Sequence, residues 1–237
     1  MPAELNWWIG IIFSVGASLF VIGSLLTLSP AVQRALPLNP GATFFAGSIP
    51  FTIAAYLQLY QAANTPPLPD AVGQDASSTS LIGWRPADIG WWSCLLQWIG
   101  TLLFNLNTFN GMNSSLTWVQ QDLWIWAPNM IGSILFMVSG YMAFAETCHR
   151  YFRWQPNSVS WWVVALNLAG CFGFLVSACL AVVLSDADSS FRMQLSVLFT
   201  LQGAIGFLLG SLAMLPEAAL KESTTVLSDP DDGSHVS

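Results

Sequence analysis

One pair of residues in this sequence has the spacing of a metal-binding motif. Glu146 and His149 are three residues apart and would lie on one face of a helix, as in the E-x-x-H pairs of carboxylate di-iron proteins. Such a site needs a second E-x-x-H pair and two further carboxylates, and the sequence has only this one pair. We therefore expect a charged cluster with Arg150 and Arg153 at a helix end, and neither a metal ion nor a cofactor.

Amide side chains inside long apolar runs are the other candidates for chemistry. Gln97 and Asn167 each follow a Trp-Trp pair by five residues, and Phe13 holds the same position after the first such pair. Gln97 and Asn167 are therefore the strongest candidates for a polar feature inside the bundle. Interhelical hydrogen bonds, worth about 1 kcal/mol each, are their simpler role. Asn105 and Asn107 lie roughly 80° to either side of Gln97 on a helical wheel, which argues against one polar face. The candidate intramembrane polar residues are Gln97, Asn105, Asn107, Asn129, Asn167 and Gln202.

The composition indicates a membrane protein. Of 237 residues, 54% are hydrophobic and only 8% are charged, whereas soluble domains have about a quarter of their residues charged. The formal net charge is −7, and much of the acidic excess lies near the C-terminus. We therefore expect the lipid bilayer as the partner and no nucleic acid, while protein partners stay unknown.

Six long uncharged runs predict six transmembrane helices. A helix rises about 1.5 Å per residue, so about 20 apolar residues cross a hydrocarbon layer of about 30 Å. The runs are continuously apolar and lack the alternation of membrane strands, which favours helices. The predicted class is therefore all-α, a polytopic transmembrane helical bundle. Its predicted spans are 7–29, 41–62, 89–110, 125–146, 159–183 and 193–215, and residues 113–126 are predicted to lie along the membrane surface.

The six spans show an internal repeat. Each odd-numbered span begins with two tryptophans, and every span contains a Gly-x-x-x-Phe phrase at a corresponding depth. Because one unit has two spans, the three copies run in the same orientation, as parallel repeats, arranged either as a ring or as a row. The predicted organisation is repeat unit 1 at 1–62, a polar loop at 63–88, repeat unit 2 at 89–150, repeat unit 3 at 151–216 and a disordered acidic tail at 217–237.

The repeated phrases predict helix packing and membrane anchoring. A glycine lets a neighbouring backbone approach closely, and a phenylalanine four residues later lies on the same face. A substrate path along these notches is the alternative. The predicted packing residues are Gly16, Phe20, Gly47, Phe51, Gly100, Phe104, Gly132, Phe136, Gly170, Phe174, Gly203 and Phe207. The predicted interface anchors are Trp7, Trp8, Trp91, Trp92, Trp161 and Trp162, with a cage for a cationic or lipid headgroup as the alternative role.

These residues resemble a known family. Two-helix units with an early Gly-x-x-x-Phe stripe, followed by segments such as GSIPFTIAAYL from Gly47 and GSILFMVSGYM from Gly132, are similar to the YrhK-like domain. The resemblance would cover most of residues 7–215 as tandem hairpins. It implies a helical membrane protein of unknown function, and it transfers no catalytic residue.

Three functions are open at this point. No H-E-x-x-H, G-x-S-x-G, Walker or dinucleotide motif occurs, so we predict a non-enzymatic protein with a structural, regulatory or assembly role. The alternatives are a small-solute or ion transporter or channel with an uncharged polar path, and a metal-dependent or lipid-modifying enzyme. Four Lys and Arg residues on the side of the termini, against two opposite, predict cytoplasmic termini.

Overall fold

Helices make up the regular structure of the described part of the chain. The computed structural model describes residues 2–65, 79–182 and 189–228, and no strand occurs in these ranges. The all-α class is therefore confirmed for them. The helices are α1 (Pro2–Leu28), α2 (Pro30–Ala35), α3 (Pro40–Asn64), α4 (Ile89–Asn110), α5 (Trp118–Gln121), α6 (Ala127–Cys148), α7 (Val159–Leu180) and α8 (Ser189–Ser228), with a π-helical turn at Asp122–Trp126.

Five stretches are long and apolar enough to cross a membrane, which indicates a membrane protein. The sequence predicts six, and the difference is α4, whose 22 residues include the amides Gln97, Asn105, Asn107 and Asn110. These polar side chains lower the mean hydropathy of α4, which is not among the five stretches. The five stretches are Glu4–Leu28, Pro40–Asn64, Trp118–Cys148, Val159–Leu180 and Ser190–Pro216.

The six long helices of the described residues form a closed ring. Along the chain, α1 packs against α3, α3 against α4, α4 against α6, α6 against α7 and α7 against α8. The ring closes because α8 also packs extensively against α1. We call α1/α3, α4/α6 and α7/α8 the first, second and third helix pairs. The end of the ring where α1, α4 and α7 finish is the cavity end, and the other is the terminal end.

Within each pair, the two helices cross at glycines. A Cβ atom on Gly170 would lie 2.7 Å from a ring carbon of Phe207 and 3.0 Å from the carbonyl oxygen of Gly203. The first pair has the same arrangement, since a Cβ on Gly16 would lie 2.6 Å from Phe51 and 2.9 Å from the Gly47 oxygen. Each phenylalanine therefore covers the glycine of the partner helix. The two helix backbones touch at these glycines, where a side chain would not fit.

The fourth long helix begins earlier than predicted. Residues 118–126 continue into α6 through the π-helical turn, and so they extend that helix instead of forming a separate surface segment. Pro128 has no N–H and leaves the carbonyl group of Trp124 without its helical donor. The side-chain amide of Asn110 donates to this oxygen at 3.1 Å, which stabilises the wider turn.

The predicted disordered tail is partly wrong. Helix α8 continues to Ser228, so residues 217–228 are helical. The segment after Pro216 reads EAALKE, which consists of strong helix formers and can continue the preceding helix. Residues 229–237 of that tail and residues 66–78 of the predicted polar loop lie outside the described residues.

Candidate functional site, a polar cavity above a phenylalanine cluster

Six phenylalanines meet on the axis of the ring. Phe20, Phe104 and Phe174 form one triangle, with ring centroids 5.5 to 6.5 Å apart. Phe207 of the neighbouring layer stacks on Phe174 at 5.5 Å. We call the six phenylalanines of the Gly-x-x-x-Phe phrases the phenylalanine cluster. Its members are Phe20, Phe51, Phe104, Phe136, Phe174 and Phe207, and all six are buried.

A cavity of about 300 Å³ lies between this cluster and the cavity end of the ring. Phe20, Phe104 and Phe174 form its floor, and residues at helix ends such as Gly111 and Ala181 line its outer part. Gly111 follows Phe104 by seven residues, which corresponds to a depth of about 10 Å. The other lining residues are Gly41, Phe44, Asn107, Thr108, Gln121, Ile125, Trp126, Asn129, Met193, Ser177, Ser196, Val197 and Thr200.

One wall of the cavity has a network of hydroxyl groups between α7 and α8. The Ser177 hydroxyl lies 2.7 Å from that of Thr200 and 3.0 Å from that of Ser196. Ser196 also donates to the carbonyl oxygen of Ser177 at 3.0 Å. These hydroxyls are therefore largely satisfied by one another and by the backbone, as buried hydroxyls must be.

Two further polar groups of the lining have partners within the protein. The hydroxyl of Thr108 donates to the Phe104 carbonyl oxygen at 2.7 Å and contacts the Ser48 hydroxyl at 3.1 Å, which joins the first and second helix pairs. The indole N–H of Trp126 donates to the Ala178 carbonyl oxygen at 2.9 Å. These bonds fix the walls and leave little capacity to bind a ligand.

Asn107 and Asn129 differ from the rest of the lining. Among residues 2–65, 79–182 and 189–228, neither side-chain amide has a hydrogen-bond partner, although both line the cavity. Each amide offers two N–H donors and a carbonyl acceptor. Neither amide is buried, so both are accessible from the cavity and can bind water or a ligand there.

The lining contains no ionisable side chain among the residues that the structure describes. The nearest basic residue in sequence is Arg192, which precedes the lining residue Met193. Its guanidinium group donates to the carbonyl oxygens of Leu180 and Val182, at 3.2 and 2.6 Å. Arg192 thus binds the C-terminal end of α7, where free carbonyls favour a cation.

Two of the six predicted intramembrane polar residues, Asn107 and Asn129, line the cavity, and the other four lie elsewhere. Gln97 accepts a hydrogen bond from Ser139 at 3.4 Å, and Asn167 packs against Gly210, both towards the terminal end. Gln202 is exposed and donates to the Ala169 carbonyl oxygen at 3.1 Å. Gln97 and Asn167, the first candidates from the sequence, are therefore separated from the cavity by the phenylalanine cluster.

Asn105 links α4 to α3 without reaching the cavity. Its side-chain N–H donates to the Thr52 hydroxyl at 2.8 Å. Its carbonyl oxygen is the only buried side-chain nitrogen or oxygen atom without a hydrogen bond among the described residues. The residue is thus half satisfied and serves the contact between the first two helix pairs.

The E-x-x-H pair does not assemble a metal site in the described residues. His149 lies beyond the end of α6 in a left-handed backbone conformation, with φ of 51°, while Glu146 is still helical. The Glu146 carboxylate lies against Gly90 at the start of α4. No group of three His, Cys, Asp or Glu side chains comes together in these ranges.

Two of the six tryptophans predicted as interface anchors are buried inside the protein. Trp91 and Trp161 are buried inside the protein, with exposed fractions of 1% and 4%. Their indole N–H groups donate to the carbonyl oxygens of Ile82 and Arg153, at 2.9 and 2.8 Å. The reason is that the preceding loops fold over them. Trp92 and Trp162 also donate to loop carbonyls, whereas Trp7 and Trp8 are exposed.

The predicted repeat contains a sequence signal for the cavity. Residues three after the odd-helix phenylalanine are Gly23, Asn107 and Ser177, and residues three before the even-helix glycine are Phe44, Asn129 and Thr200. All of these except Gly23 line the cavity, and Phe44 covers Gly23. In the first helix pair, Phe44 holds the position that Asn129 and Thr200 hold in the other two pairs. The polar lining of the cavity therefore comes mainly from the second and third pairs.

Comparison with family models, with curated proteins and with solved structures finds no match for this chain. The resemblance to the YrhK-like domain therefore stays a prediction.

Proposed function

We propose that this chain is an integral membrane protein of six spans, built from three two-helix units, with a structural or regulatory role and no enzymatic activity. Its termini are cytoplasmic in this proposal, since four of the six basic residues lie on that side. The cavity end then faces away from the cytoplasm.

The position of α4 supports a sixth span. With 22 residues it is as long as α7, about 33 Å at about 1.5 Å per residue. It lies in the ring between α3 and α6, both of which belong to stretches that are apolar enough to cross. Its amides Asn105 and Asn107 contact Thr52 and the cavity instead of lipid alone.

The phenylalanine cluster is the observation that supports a non-conducting bundle. Its rings fill the axis at mid-height, and the remaining space beside them is about 10 Å³, about the volume of one water probe. An ion on this path would lose its hydration without finding a polar partner. A pore with a continuous polar axis is therefore disfavoured in this conformation.

Flux measurements on proteoliposomes test this proposal. We expect the purified protein to release glycerol and K⁺ no faster than protein-free liposomes, because the cluster closes the axis. Replacing Phe20, Phe104 and Phe174 together by alanine should open it and raise the flux. The matched control replaces three outward-facing phenylalanines, Phe109, Phe172 and Phe191, by alanine. Flux through the unmodified protein, or none through the cluster variant with its fold intact, would contradict the proposal.

A small-solute transporter is the second candidate, and the one-sided cavity favours it. A polar chamber that ends at an apolar gate is the shape expected for one state of alternating access. In that case Asn107→Leu and Asn129→Leu should abolish solute counterflow, while Gln97→Leu and Asn167→Leu should not. Absence of counterflow in the unmodified protein would leave only the structural or regulatory role.

A further inference from the structure

The cavity has the features of a binding site for one class of molecule. We propose that it binds a small neutral molecule that combines a flat apolar ring with an amide or carbonyl group. This inference goes beyond the structural role and rests on the proposed six-span bundle.

The polar part of the ligand is inferred from the unpaired amides. Asn107 and Asn129 lie on α4 and α6 of one helix pair, and both line the cavity without a hydrogen-bond partner among the described residues. An amide presents donors and an acceptor at once, and its natural complement is a group that does the same. The hydroxyls of the opposite wall already bond to one another, and the Gln121 side-chain N–H donates to the Leu116 carbonyl oxygen, so Asn107 and Asn129 are the lining amides with both donors and acceptor available to the ligand.

The apolar part is inferred from the floor and the size. Phe20, Phe104 and Phe174 present a triangle of aromatic rings, on which a flat ring can stack or pack edge-on. A volume of about 300 Å³ is at the lower end of ligand pockets, which span about 300–1,000 Å³. The site therefore fits a single-ring molecule.

The charge of the ligand follows from the lining. No acidic or basic side chain lines the cavity in the described ranges, and Arg192 nearby already binds two backbone carbonyls. A charged group would lose its hydration and find no counter-ion. Neutral molecules should therefore bind in preference to ions of the same shape.

The test uses 4-fluorobenzamide as the probe and ¹⁹F NMR as the measurement, with the full-length protein in phosphatidylcholine nanodiscs. We expect saturable line broadening beyond that of empty nanodiscs. The carboxylate 4-fluorobenzoate should bind about tenfold more weakly or worse, because it lacks a counter-ion in the cavity. No saturable binding of the benzamide, or equal binding of the benzoate, would overturn the proposal.

The decisive variants copy the first helix pair. Asn129→Phe and Thr200→Phe introduce the residue found at the matching position, Phe44, and should fill the cavity and abolish saturable binding. Asn107→Leu should weaken it about fivefold to tenfold by removing hydrogen bonds. Gln97→Leu makes a similar change outside the cavity and should leave the affinity within about twofold. Unchanged binding in both phenylalanine variants would show that the probe binds elsewhere.

Failure of the binding proposal is distinguishable from failure of the six-span bundle. Single cysteines introduced at Asn113 and Asn157, in loops at opposite ends of the ring, are labelled from outside intact liposomes. Labelling at one position only, together with no saturable binding, overturns the ligand inference and leaves the bundle standing. Labelling of both positions from the same side overturns the six-span topology itself.

Discussion

The glycines of the helix crossings leave no room for a methyl group. At Gly170 an added Cβ would press on both the ring of Phe207 and the backbone oxygen of Gly203. The ring could rotate, but the backbone oxygen could move only if the helices separated. Overpacking of this kind costs about 1–3 kcal/mol, which exceeds the gain of about 0.5–1 kcal/mol from replacing a helical glycine by alanine.

We therefore predict that Gly170→Ala lowers the thermal unfolding temperature of the protein. Gly41→Ala is the matched control, because the atom nearest to its Cβ would be the Asn39 side-chain oxygen at 3.3 Å and the nearest backbone atom would be 3.6 Å away. This second change should be neutral or stabilising. Unfolding followed by circular dichroism in detergent gives both values, and equal stability of the two variants would contradict tight crossing.

Trp91 and Trp161 lie in aromatic clusters formed with the loops that precede them. Trp91 and Trp92 pack edge-on at 5.1 Å, and Trp84 from the preceding loop packs against both. Trp154 repeats this contact with Trp161 at 4.7 Å. Trp91 and Trp161 are buried in these clusters, so their rings do not face a cationic headgroup.

At the scale of elements, two of the long helices begin with the same cap. Asp88 accepts hydrogen bonds from the backbone N–H groups of Gly90 and Trp91 at 2.9 and 3.2 Å. Ser158 accepts from Trp161 at 3.4 Å at the start of α7. The sequence phrase Pro-x-[Asp/Ser]-x-x-Trp-Trp thus combines a turn, a helix cap and the tryptophan pair that the preceding loop covers.

Asp88→Ala should lower the free energy of unfolding by about 1 kcal/mol, because the first turn of α4 loses its cap. Asp88→Ser is the matched control, since α7 uses serine at this position, and it should retain most of the stability. Hydrogen exchange at the N–H groups of Gly90 and Trp91 measures the effect locally. Equal protection in the alanine and serine variants would show that the cap does not stabilise α4.

The π-helical turn is the element that shapes the outer cavity. Ile125 and Trp126 belong to this turn and line the cavity, and Gln121 precedes it. A π turn inserts one extra residue and rotates the segment before it relative to the rest of the helix. Without the turn, α5 would present other side chains to the cavity.

At the scale of the whole molecule, ring closure depends on the contact between the first and last long helices. A Cβ on Gly10 would lie 3.1 Å from the Ser211 carbonyl oxygen and 3.4 Å from the Met214 Cβ. The nearest atom at Gly10 is thus 3.1 Å away, against 2.6 to 2.9 Å at the crossing glycines within the helix pairs, so the two helices touch but a small shift can admit a Cβ atom here. A row of three units would leave the two helices apart.

Cross-linking tests the closure. In a background without the native cysteines, Gly10→Cys and Met214→Cys should form a disulfide on mild oxidation, because bridged residues have Cβ atoms about 3.5–4.5 Å apart. After cleavage at a protease site inserted between residues 70 and 71, the fragments should stay together until reduced. Val15→Cys with Met214→Cys is the control, since Val15 is half exposed on the outer surface. Cross-linking in neither pair would favour a row.

The sequence by itself determined the helical class and the membrane environment. A backbone in lipid can be satisfied only in a helix or a closed barrel, and continuously apolar runs without alternation favour the helix, an argument that needs no tertiary contact. The sequence also located the glycines and phenylalanines that meet at the helix crossings, because the Gly-x-x-x-Phe phrase recurs at a corresponding depth in each predicted span. The six predicted spans differ from the five apolar stretches of the described residues at α4, where polar residues such as Asn105 and Asn107 interrupt the apolar run.

Only the tertiary structure decided which polar residues share a space. Gln97 and Asn107 are ten residues apart on one helix, yet the phenylalanine cluster separates them, and only Asn107 reaches the cavity. Asn107 and Asn129 come together because α4 and α6 are antiparallel neighbours in a closed ring. Periodicity along one helix defines a face but not what that face meets. Ring closure and the packing of side chains from six helices are long-range effects, and they placed an aromatic floor beneath two unpaired amides.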